Sequence, residues 1–355
     1  MRVGILTSGG DCQALNATMR GLALTLYRNV KDVEIIGFID GYKGLMYEKY
    51  KKMKPKDFYD ILNVGGSILG NSRCPFKRMR IIENGFDKVK AMKNTYKKLE
   101  LDCLVVLGGN GSIKSANMLS QEGLNVIALP KTIDNDAWGT DYTFGYSSAT
   151  AIATRYLDEI KTTAASHSRV FVIEVMGHKV GHICLSAGIA AGADVILLPE
   201  IPYDIKVVAK KVKETLKNEK NYAIIACAEG AISEADALMK RKDYKAKVLA
   251  RNGRSVAYEV ADELSQEIDA EIRVSCIGHA QRGGCPNSYD REISTRFGVE
   301  GARLIIKKHY GEYVVLQGNH VTHIPLEATA GKLKYVDTEG EIVQSAKLVG
   351  ISFGE

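Results

Sequence analysis

The sequence predicts an α/β fold in which mostly parallel sheets are covered by helices on both faces. Apolar runs of four to eight residues recur along the chain, and segments with three-to-four periodicity lie between them. The runs are apolar at nearly every position, which is typical of strands buried on both faces of a parallel sheet. A length of 355 residues is long for one layered domain and favours two lobes.

Predicted strands and helices alternate along most of the chain. The predicted strands cover residues 3–7, 33–38, 103–107, 126–129, 170–176, 195–198, 223–227, 272–277 and 313–317. The predicted helices cover residues 15–27, 112–120, 149–163, 205–217, 254–265 and 292–308.

The charge balance and the cysteines exclude several classes of protein. The 48 Lys and Arg residues exceed the 42 Asp and Glu residues by six, and the excess is spread along the chain, which favours local anion sites over a nucleic-acid surface. The seven cysteines have no zinc-type spacing and are typical of reduced thiols. The sequence begins MRVGILTSGGD without a signal-like region, and no apolar run is long enough for a membrane span. We expect a cytoplasmic protein that binds neither nucleic acid nor a membrane.

Two glycine-rich loops follow predicted strands. In LTSGGDCQALNA, Gly9 and Gly10 allow backbone amides to approach a phosphate, and the next helix contributes its positive end. The second loop is GGNGS, residues 108–112. Each alone also fits a tight strand-to-helix turn, since neither has the Walker spacing or a complete GxGxxG motif. Two such loops at strand ends of one sheet favour a phosphate site.

The most informative segment is PKTIDNDAWGTDYTFG, residues 130–145. Asp134 and Asp136 follow a predicted strand directly, beside Lys131 and near a third acid, Asp141. One such carboxylate can hold a metal while the other takes a proton from an attacking hydroxyl. The alternative is an Asx-rich turn whose carboxylates cap backbone amides.

Basic residues lie near other strand ends. Single arginines are usually solvated surface residues. Arg169 and Arg273, however, each open an apolar strand, and GHAQRGG places His279 and Arg282 among glycines. This glycine-plus-cation chemistry indicates a substrate that is itself phosphorylated.

These motifs resemble those of the 6-phosphofructokinases, in the family's order and from Met1 to about Tyr335. The matching segments are GILTSGGD, IDGYKGL, LGNSRCP, GGNGS, PKTIDND, IEVMGH, PEIPYD and GHAQRGGCPNSYDR. The resemblance implies two similar three-layer lobes with the active site in the cleft between them. It assigns residues 1–144 and 281–330 to a phosphoryl-donor lobe, and residues 145–280 and 331–355 to a sugar-phosphate lobe.

The resemblance also implies a cytoplasmic, glycolytic kinase that transfers a phosphoryl group from ATP, with Mg²⁺, to the C1 hydroxyl of fructose 6-phosphate. The implied catalytic residues are Asp134 as base, Thr132 and Lys131. The implied donor-binding residues are Gly10, Arg73, Gly109, Gly111 and Ser112. The implied sugar-phosphate contacts are Thr132, Asp134, Asp136, Arg169, Met176, Gly177, Glu229, Arg273, His279 and Arg282. The implied metal residues are Asn110 and Asp136. Arg169 and Arg273 are implied to serve a neighbouring subunit's substrate in a dimer or tetramer.

Three departures from the family pattern leave alternatives open. Asn110 stands where members normally carry an acid that faces magnesium. Pyrophosphate users typically have an acid at the position of Gly111 and a lysine at that of Lys131, so these two residues disagree. The lysine also occurs in a subgroup of ATP users that resemble the pyrophosphate enzymes, so we weight the space left by Gly111 more and expect ATP from a member of that subgroup. His178 replaces a usual arginine. The alternatives are a pyrophosphate-dependent enzyme and a non-catalytic, sugar-phosphate-binding regulatory paralogue. A Rossmann-type oxidoreductase fits less well, since a complete GxGxxG is missing.

Overall fold

The computed structural model describes residues 1–218, 220–329 and 331–355. The chain divides into two compact units, one formed by Met1–Ser148 and Arg282–Lys334, the other by Ala149–Gln281 and Tyr335–Glu355. The chain therefore leaves the first unit and later returns to it. The α/β class with mostly parallel sheets is confirmed.

The described residues form the following strands and helices. The strands are β1 (Arg2–Ser8), β2 (Glu34–Phe38), β3 (Tyr50–Met53), β4 (Cys103–Gly108), β5 (Val126–Pro130), β6 (Val170–Val175), β7 (Val195–Leu197), β8 (Ala223–Ala228), β9 (Ile272–Cys276), β10 (Glu312–Gln317) and β11 (His320–Pro325). The helices are α1 (Leu15–Asn29), α2 (Tyr42–Met46), α3 (Lys88–Lys98), α4 (Asn110–Gln121), α5 (Tyr146–His167), α6 (His182–Ala190), α7 (Ile205–Asn218), α8 (Glu234–Ala237), α9 (Arg241–Ala250), α10 (Val256–Ser265), α11 (Ser288–Ile306), α12 (Leu326–Thr329) and α13 (Glu341–Leu348). Short 3₁₀ turns cover Pro55–Phe58, Phe76–Arg78 and Gly278–Arg282.

The first unit contains a sheet of strand order β11-β10-β5-β4-β1-β2-β3. The inner strands are parallel, and the pairs β2–β3 and β10–β11 at the two edges are antiparallel. Every residue of β4 and β5 is buried, which explains why both are apolar throughout. The sheet in the second unit has the order β7-β8-β6-β9 and is parallel.

The two antiparallel edge strands differ from the prediction, which contained neither of them. β3 has the sequence YKKM and exposes its first three residues, and β11 is only partly buried. A strand at a sheet edge faces solvent and needs no apolar run, so its sequence lacks the signal that identifies buried strands.

The returning segment joins the first unit through a close contact between α1 and α11. A Cβ atom on Gly21 would lie 2.7 Å from the carbonyl oxygen of Thr295, and one on Gly298 would lie 2.4 Å from that of Thr18. Both positions therefore require glycine because the two helix backbones approach so closely. Among the described residues, no helix combines the length and apolar character that a membrane crossing requires.

Candidate active site

Three functional loops leave the first sheet side by side. Ser8 at the end of β1 is in register with Gly108 at the end of β4, and Gly108 is in register with Pro130 at the end of β5. The loops that begin at residues 9, 109 and 131 therefore meet at the carboxyl edge of the sheet. This edge is where α/β proteins bind their ligands.

The first glycine loop lies between two cationic side chains. The ammonium of Lys131 donates a hydrogen bond to the carbonyl oxygen of Gly10. The guanidinium of Arg282 donates to the carbonyl oxygen of Asp11 at 2.8 Å, and it lies so close to Gly10 that a Cβ there would be 2.9 Å from Nη1. Burial, followed by the nearby Arg282 charge, lowers the pKa of Lys131, while Asp134 and Asp136 oppose that shift. Positive charge is therefore concentrated around this loop.

The second glycine loop opens α4 and presents the amino end of that helix. Its N-cap residue, Gly109, has no side-chain cap, and the first turn contains no acidic residue. These features suit an anion, which the helix dipole and the amide groups would attract. Ser112 is buried in this turn. A Cβ on Gly111 would meet nothing within 4 Å, so the structure leaves open space where that glycine lies.

The segment that carries Arg73 is joined to the first loop. Ser72 forms a parallel bridge with Ser8, and its carbonyl oxygen accepts a hydrogen bond from the Gly9 amide at 3.1 Å. Arg73 itself is exposed. Its guanidinium is therefore free to move toward a ligand while its backbone is fixed.

The acidic loop after β5 is held by its own polar groups. The Asp134 amide donates to Thr132 Oγ1 at 3.0 Å, and Thr143 Oγ1 donates to the Thr132 carbonyl at 2.7 Å. Asn135 has a φ of 54° and accepts a hydrogen bond from the Thr143 amide at 3.1 Å. Asp136 is 8% exposed and Asp134 is half-buried. This is more than a turn of capping carboxylates, because an asparagine and two threonines fix the backbone between the acids.

Asp290 supports the segment that follows this loop. Its two carboxylate oxygens accept hydrogen bonds from the amides of Gly145 at 3.0 Å and Ser148 at 2.8 Å, and from the Ser148 hydroxyl. Burial raises the pKa of the Asp290 carboxyl. Asp290 lies in the quoted motif GHAQRGGCPNSYDR, but only the structure reveals this contact.

The side chain of Asn110 contacts a segment that the sequence prediction did not connect with the site. Its Nδ2 donates to the carbonyl oxygen of Lys332 at 2.5 Å. Two residues later, the Lys334 amide donates to the Asp136 carbonyl at 2.9 Å. Burial lowers the pKa of the Lys334 ammonium to about 8, although the charges of Asp141 and Asp136 act in the opposite direction.

The acidic loop is suited to a magnesium ion that is coordinated partly by the phosphates of a ligand. Within the described ranges, no group of three or more His, Cys, Asp or Glu side chains is arranged to hold a metal by itself. Magnesium commonly uses one or two carboxylates and completes its shell with substrate phosphates and water. Asp136 is the carboxylate that the sequence assigns to this role, and the Asn110 amide can offer only its Oδ1 to a cation.

In the second unit, the predicted sugar-phosphate residues gather after β6. The carboxylate of Glu229 accepts hydrogen bonds from the amides of Gly177 at 3.2 Å and His178 at 2.5 Å. The Met176 amide donates to Gln281 Oε1 at 3.3 Å. His279, in the 3₁₀ turn after β9, is exposed. Glu229 thus holds the turn at residues 176–178 by accepting hydrogen bonds from its backbone.

Arg169 and Arg273 lie at the other edge of the second sheet. Arg169 precedes β6 and Arg273 is the second residue of β9, and both pair with Glu271. The hydrogen bond from Arg169 is the main reason why the pKa of Glu271 is lowered. A strand such as β6 spans about 20 Å at about 3.3 Å per residue, which separates these arginines from the turn at 176–178. Within one chain, the structure therefore does not bring them to that turn.

Comparison with known proteins identifies relatives along the whole chain. A family model described as Phosphofructokinase matches residues 2–305. An "ATP-dependent 6-phosphofructokinase" of Spirochaeta thermophila is 46% identical over 99% of this chain and 97% of its own length. "ATP-dependent 6-phosphofructokinase 3" of Bacteroides thetaiotaomicron is 42% identical, with 100% of both chains covered.

Solved structures show the same fold. The phosphofructokinase of Saccharomyces cerevisiae superposes with a TM-score of 0.79 at 28% identity, covering 92% of this chain and 45% of the yeast chain. A pyrophosphate-dependent phosphofructokinase of Nitrosospira multiformis superposes with a TM-score of 0.82 at 19% identity, covering 99% of this chain and 92% of that one. The second likeness concerns the fold alone. With a family model over most of its length and relatives above 40% identity from end to end, this chain belongs to the phosphofructokinase family.

Proposed function

We propose that this chain is an ATP-dependent 6-phosphofructokinase, which transfers the terminal phosphoryl group of ATP to the C1 hydroxyl of fructose 6-phosphate in glycolysis. The observation that carries the proposal is the shared register of Ser8, Gly108 and Pro130, which brings two phosphate loops and an acidic loop together. The names of the full-length relatives support the same donor and the same acceptor.

The proposed donor site consists of the two glycine loops, the amino end of α4 and the exposed side chain of Arg73. Gly111 supports ATP over pyrophosphate, because neither a positive φ nor packing of the chain requires glycine there. The space that it leaves is thus available to a nucleotide's α-phosphate. Lys131 donates to the backbone of the first loop, a contact that serves either donor.

The proposed chemistry uses Asp134 as the base that takes the proton from the C1 hydroxyl. The backbone of Asp134 is fixed through Thr132. Its side chain is half-buried and is therefore accessible to the hydroxyl of the sugar substrate. Asp136, with Asn110 Oδ1 as a neutral ligand, would hold magnesium, which when bound neutralises charge on the donor's phosphates. Arg282 and Lys131 add positive charge near the moving phosphoryl group. Alignment and charge are the main requirements of this reaction.

The proposed sugar-phosphate site uses the Met176–Glu229 region and His279, with Arg169 and Arg273 supplied by a neighbouring subunit in a dimer or tetramer. Support comes from the position of the two arginines, which lie at the sheet edge opposite to the turn at 176–178. Both arginines pair with one glutamate at the surface of the unit. They can exchange this carboxylate for the phosphate of a substrate bound to another subunit, since the planar guanidinium binds carboxylate and phosphate through the same pair of donors.

The test is formation of fructose 1,6-bisphosphate from fructose 6-phosphate and magnesium, with ATP and pyrophosphate supplied in parallel. Product with ATP alone is the expected result. Product with pyrophosphate alone would overturn the proposed donor and would make Lys131 a better indicator than Gly111. A protein that binds the sugar phosphate and forms no product with either donor would be a regulatory paralogue.

A further inference from the structure

The segment at residues 331–334, which ends the first unit, runs from the first turn of α4 to the acidic loop. We call this segment the strap. Leu333 forms an antiparallel bridge with Ala137, and the Lys334 amide donates to the Asp136 carbonyl at 2.9 Å. The strap thus pairs with the acidic loop through one isolated bridge, and its backbone holds the residue proposed to bind the metal.

The side chain of Lys334 extends this contact along the loop. Its ammonium donates to the carbonyl oxygens of Thr140 at 2.9 Å and Asp141 at 2.8 Å. The Asp141 carboxylate in turn accepts from the Gly318 amide at 2.6 Å, and the Asp141 amide donates to the Leu316 carbonyl at 2.8 Å. Lys334 therefore joins the strap to the acidic loop by charge-assisted hydrogen bonds, which are stronger than neutral ones, and Asp141 joins that loop to the end of β10.

The other end of the strap contacts the second phosphate loop. The Lys332 carbonyl accepts from Asn110 Nδ2 at 2.5 Å, and the Lys332 ammonium lies 5.6 Å from the centre of the Trp138 ring. A carboxylate at position 110 would have no hydrogen to donate to this carbonyl, whereas an amide has two. The strap therefore gives a physical reason for asparagine at this position.

We infer that the strap is a positioning element of the phosphoryl-donor site. Asn110 fixes one end of it to the first turn of α4, and Lys334 fixes the other end to the loop of Asp136. It thereby sets the spacing between the amides that would receive the donor's phosphates and the carboxylate that would hold their magnesium. This inference rests on the proposed function and extends it to residues outside the two glycine loops and the acidic pair.

The test uses the single tryptophan of the chain, Trp138, which is 45% exposed beside the strap. Its fluorescence is titrated with magnesium–ATP in the wild type, Lys334→Met, Lys334→Arg and Asn110→Ala, and equilibrium dialysis checks the affinities. The control is Lys31→Met, the same substitution at an exposed lysine in the turn before β2, at the opposite edge of the sheet.

Lys334→Met and Asn110→Ala should each weaken magnesium–ATP binding about tenfold, the size expected when a hydrogen bond to a charged or buried group is lost. The KM for ATP should rise in parallel, while the KM for fructose 6-phosphate stays within about twofold of wild type. Lys334→Arg should recover most of the affinity, and Lys31→Met should bind as wild type does.

Wild-type magnesium–ATP affinity in both Lys334→Met and Asn110→Ala would overturn the inference. So would an equal loss of affinity for both substrates together with a lower melting temperature, because that pattern indicates a purely structural role. Asn110→Ala also removes the Oδ1 that the proposed function gives to magnesium, so Lys334→Gln carries the test if Lys334→Met does not fold. If the wild-type protein binds magnesium–ATP and forms no product, the proposed function is refuted. The binding data for the variants then still decide whether the strap positions the donor site. If the wild type binds only magnesium–pyrophosphate, the same comparison is made with that probe, and binding of neither donor overturns both.

Discussion

The side-chain nitrogen of Asn110 makes a specific contact that the sequence does not predict. Its Nδ2 donates to the Lys332 carbonyl, so the residue has a role in the structure whether or not its oxygen faces a metal. From sequence alone, Asn110 fits a neutral metal ligand, a pyrophosphate-dependent enzyme, or a relic of a lost site in a non-catalytic paralogue. The contact with the strap weighs against a relic, because it occupies the amide nitrogen with a specific partner.

Asn110→Asp should lower the free energy of unfolding by about 1–3 kcal/mol, because the Lys332 carbonyl loses its donor and faces a carboxylate instead. At saturating ATP, where loss of the strap contact no longer limits donor binding, the same substitution should lower the magnesium concentration that gives half-maximal activity, since carboxylate is a better ligand than amide oxygen. Urea denaturation and a magnesium titration measure the two effects. Unchanged stability would contradict the contact, and an unchanged metal requirement would show that this side chain does not face the ion.

Asp134→Asn should reduce turnover by roughly 10²-fold or more, the scale expected for loss of a general base, and should leave sugar-phosphate affinity within a few-fold of wild type. The carboxamide keeps the size of the side chain, so the loop geometry persists. Steady-state kinetics and dialysis with fructose 6-phosphate provide the two values. A variant that retains turnover within a few-fold would exclude Asp134 as the base.

Gly111→Asp should raise the KM for ATP by about tenfold or more, because a charged side chain would occupy the open space beside the donor's phosphates. The fold should persist, since a Cβ at this position contacts nothing. Gly111→Ala is the matched control and should have a much smaller effect. Equal KM values in both variants and the wild type would show that the nucleotide does not use this space.

At the scale of the element, the sequence predicts best those strands and helices that are buried. β4 and β5 are apolar at every position because both of their faces are covered, and their predicted bounds differ from the observed ones by one residue. β3 and β11 are polar edge strands, and α9 has no buried residue, so none of the three carries an apolar pattern. The spacing of apolar residues along a sequence indicates which faces of a strand or helix are buried. It cannot identify strands and helices that are held mainly by backbone hydrogen bonds.

Asp290 ties α11 to the start of α5, and Asp290→Ala should destabilise the first unit by about 2–4 kcal/mol. The reason is that the buried amides of Gly145 and Ser148 would lose their acceptor. Urea denaturation followed by Trp138 fluorescence reports on this unit. Asp60→Ala, at an exposed acid in the same unit, is the control and should change stability little.

The pH dependence of Asp290 has a definite sign. Burial raises the pKa of its carboxyl in the folded state, so the folded chain keeps a proton that the unfolded chain has lost. The contribution of Asp290 to the free energy of unfolding is therefore greatest below the pKa of about 3.9 that the carboxyl has in the unfolded chain. This contribution falls as the pH rises from there to the higher pKa of the folded state. The stability of wild type relative to Asp290→Asn should decrease over this interval in urea denaturation at several pH values. A constant difference would contradict the raised pKa.

Across the whole molecule, the sequence predicted the positions of the candidate residues on the sheet better than their long-range contacts. Gly10, Asp134 and Asp136 follow strands directly, so local order along the chain was enough to place them at one sheet edge. The contact of Asn110 with Lys332 joins residues 222 positions apart, and it uses a backbone carbonyl that has no sequence signature. Long-range contacts to the main chain are therefore the part of such a site that only a structure provides.

The position of Arg169 and Arg273 leads to a prediction about the assembly. If a neighbouring subunit supplies them, a mixture of inactive Asp134→Asn and Arg273→Ala subunits should recover about one quarter of wild-type activity in a randomly assembled dimer, because half of the dimers are mixed and each has one intact site. Activity after co-refolding is the measurement. The two variants refolded separately are the control, and a mixture no more active than these would assign the arginine to the substrate of its own chain.

The first unit is assembled from two stretches of chain that are separated by the whole central part of the second. During synthesis, residues 1–148 emerge with both glycine loops and the acidic pair, whereas the strap emerges almost 200 residues later. An incomplete polypeptide on the ribosome therefore lacks the segment that joins these loops, as well as β10 and α11. On the proposed function, a growing chain would therefore not complete its phosphoryl-donor site until residues 331–334 have been synthesised.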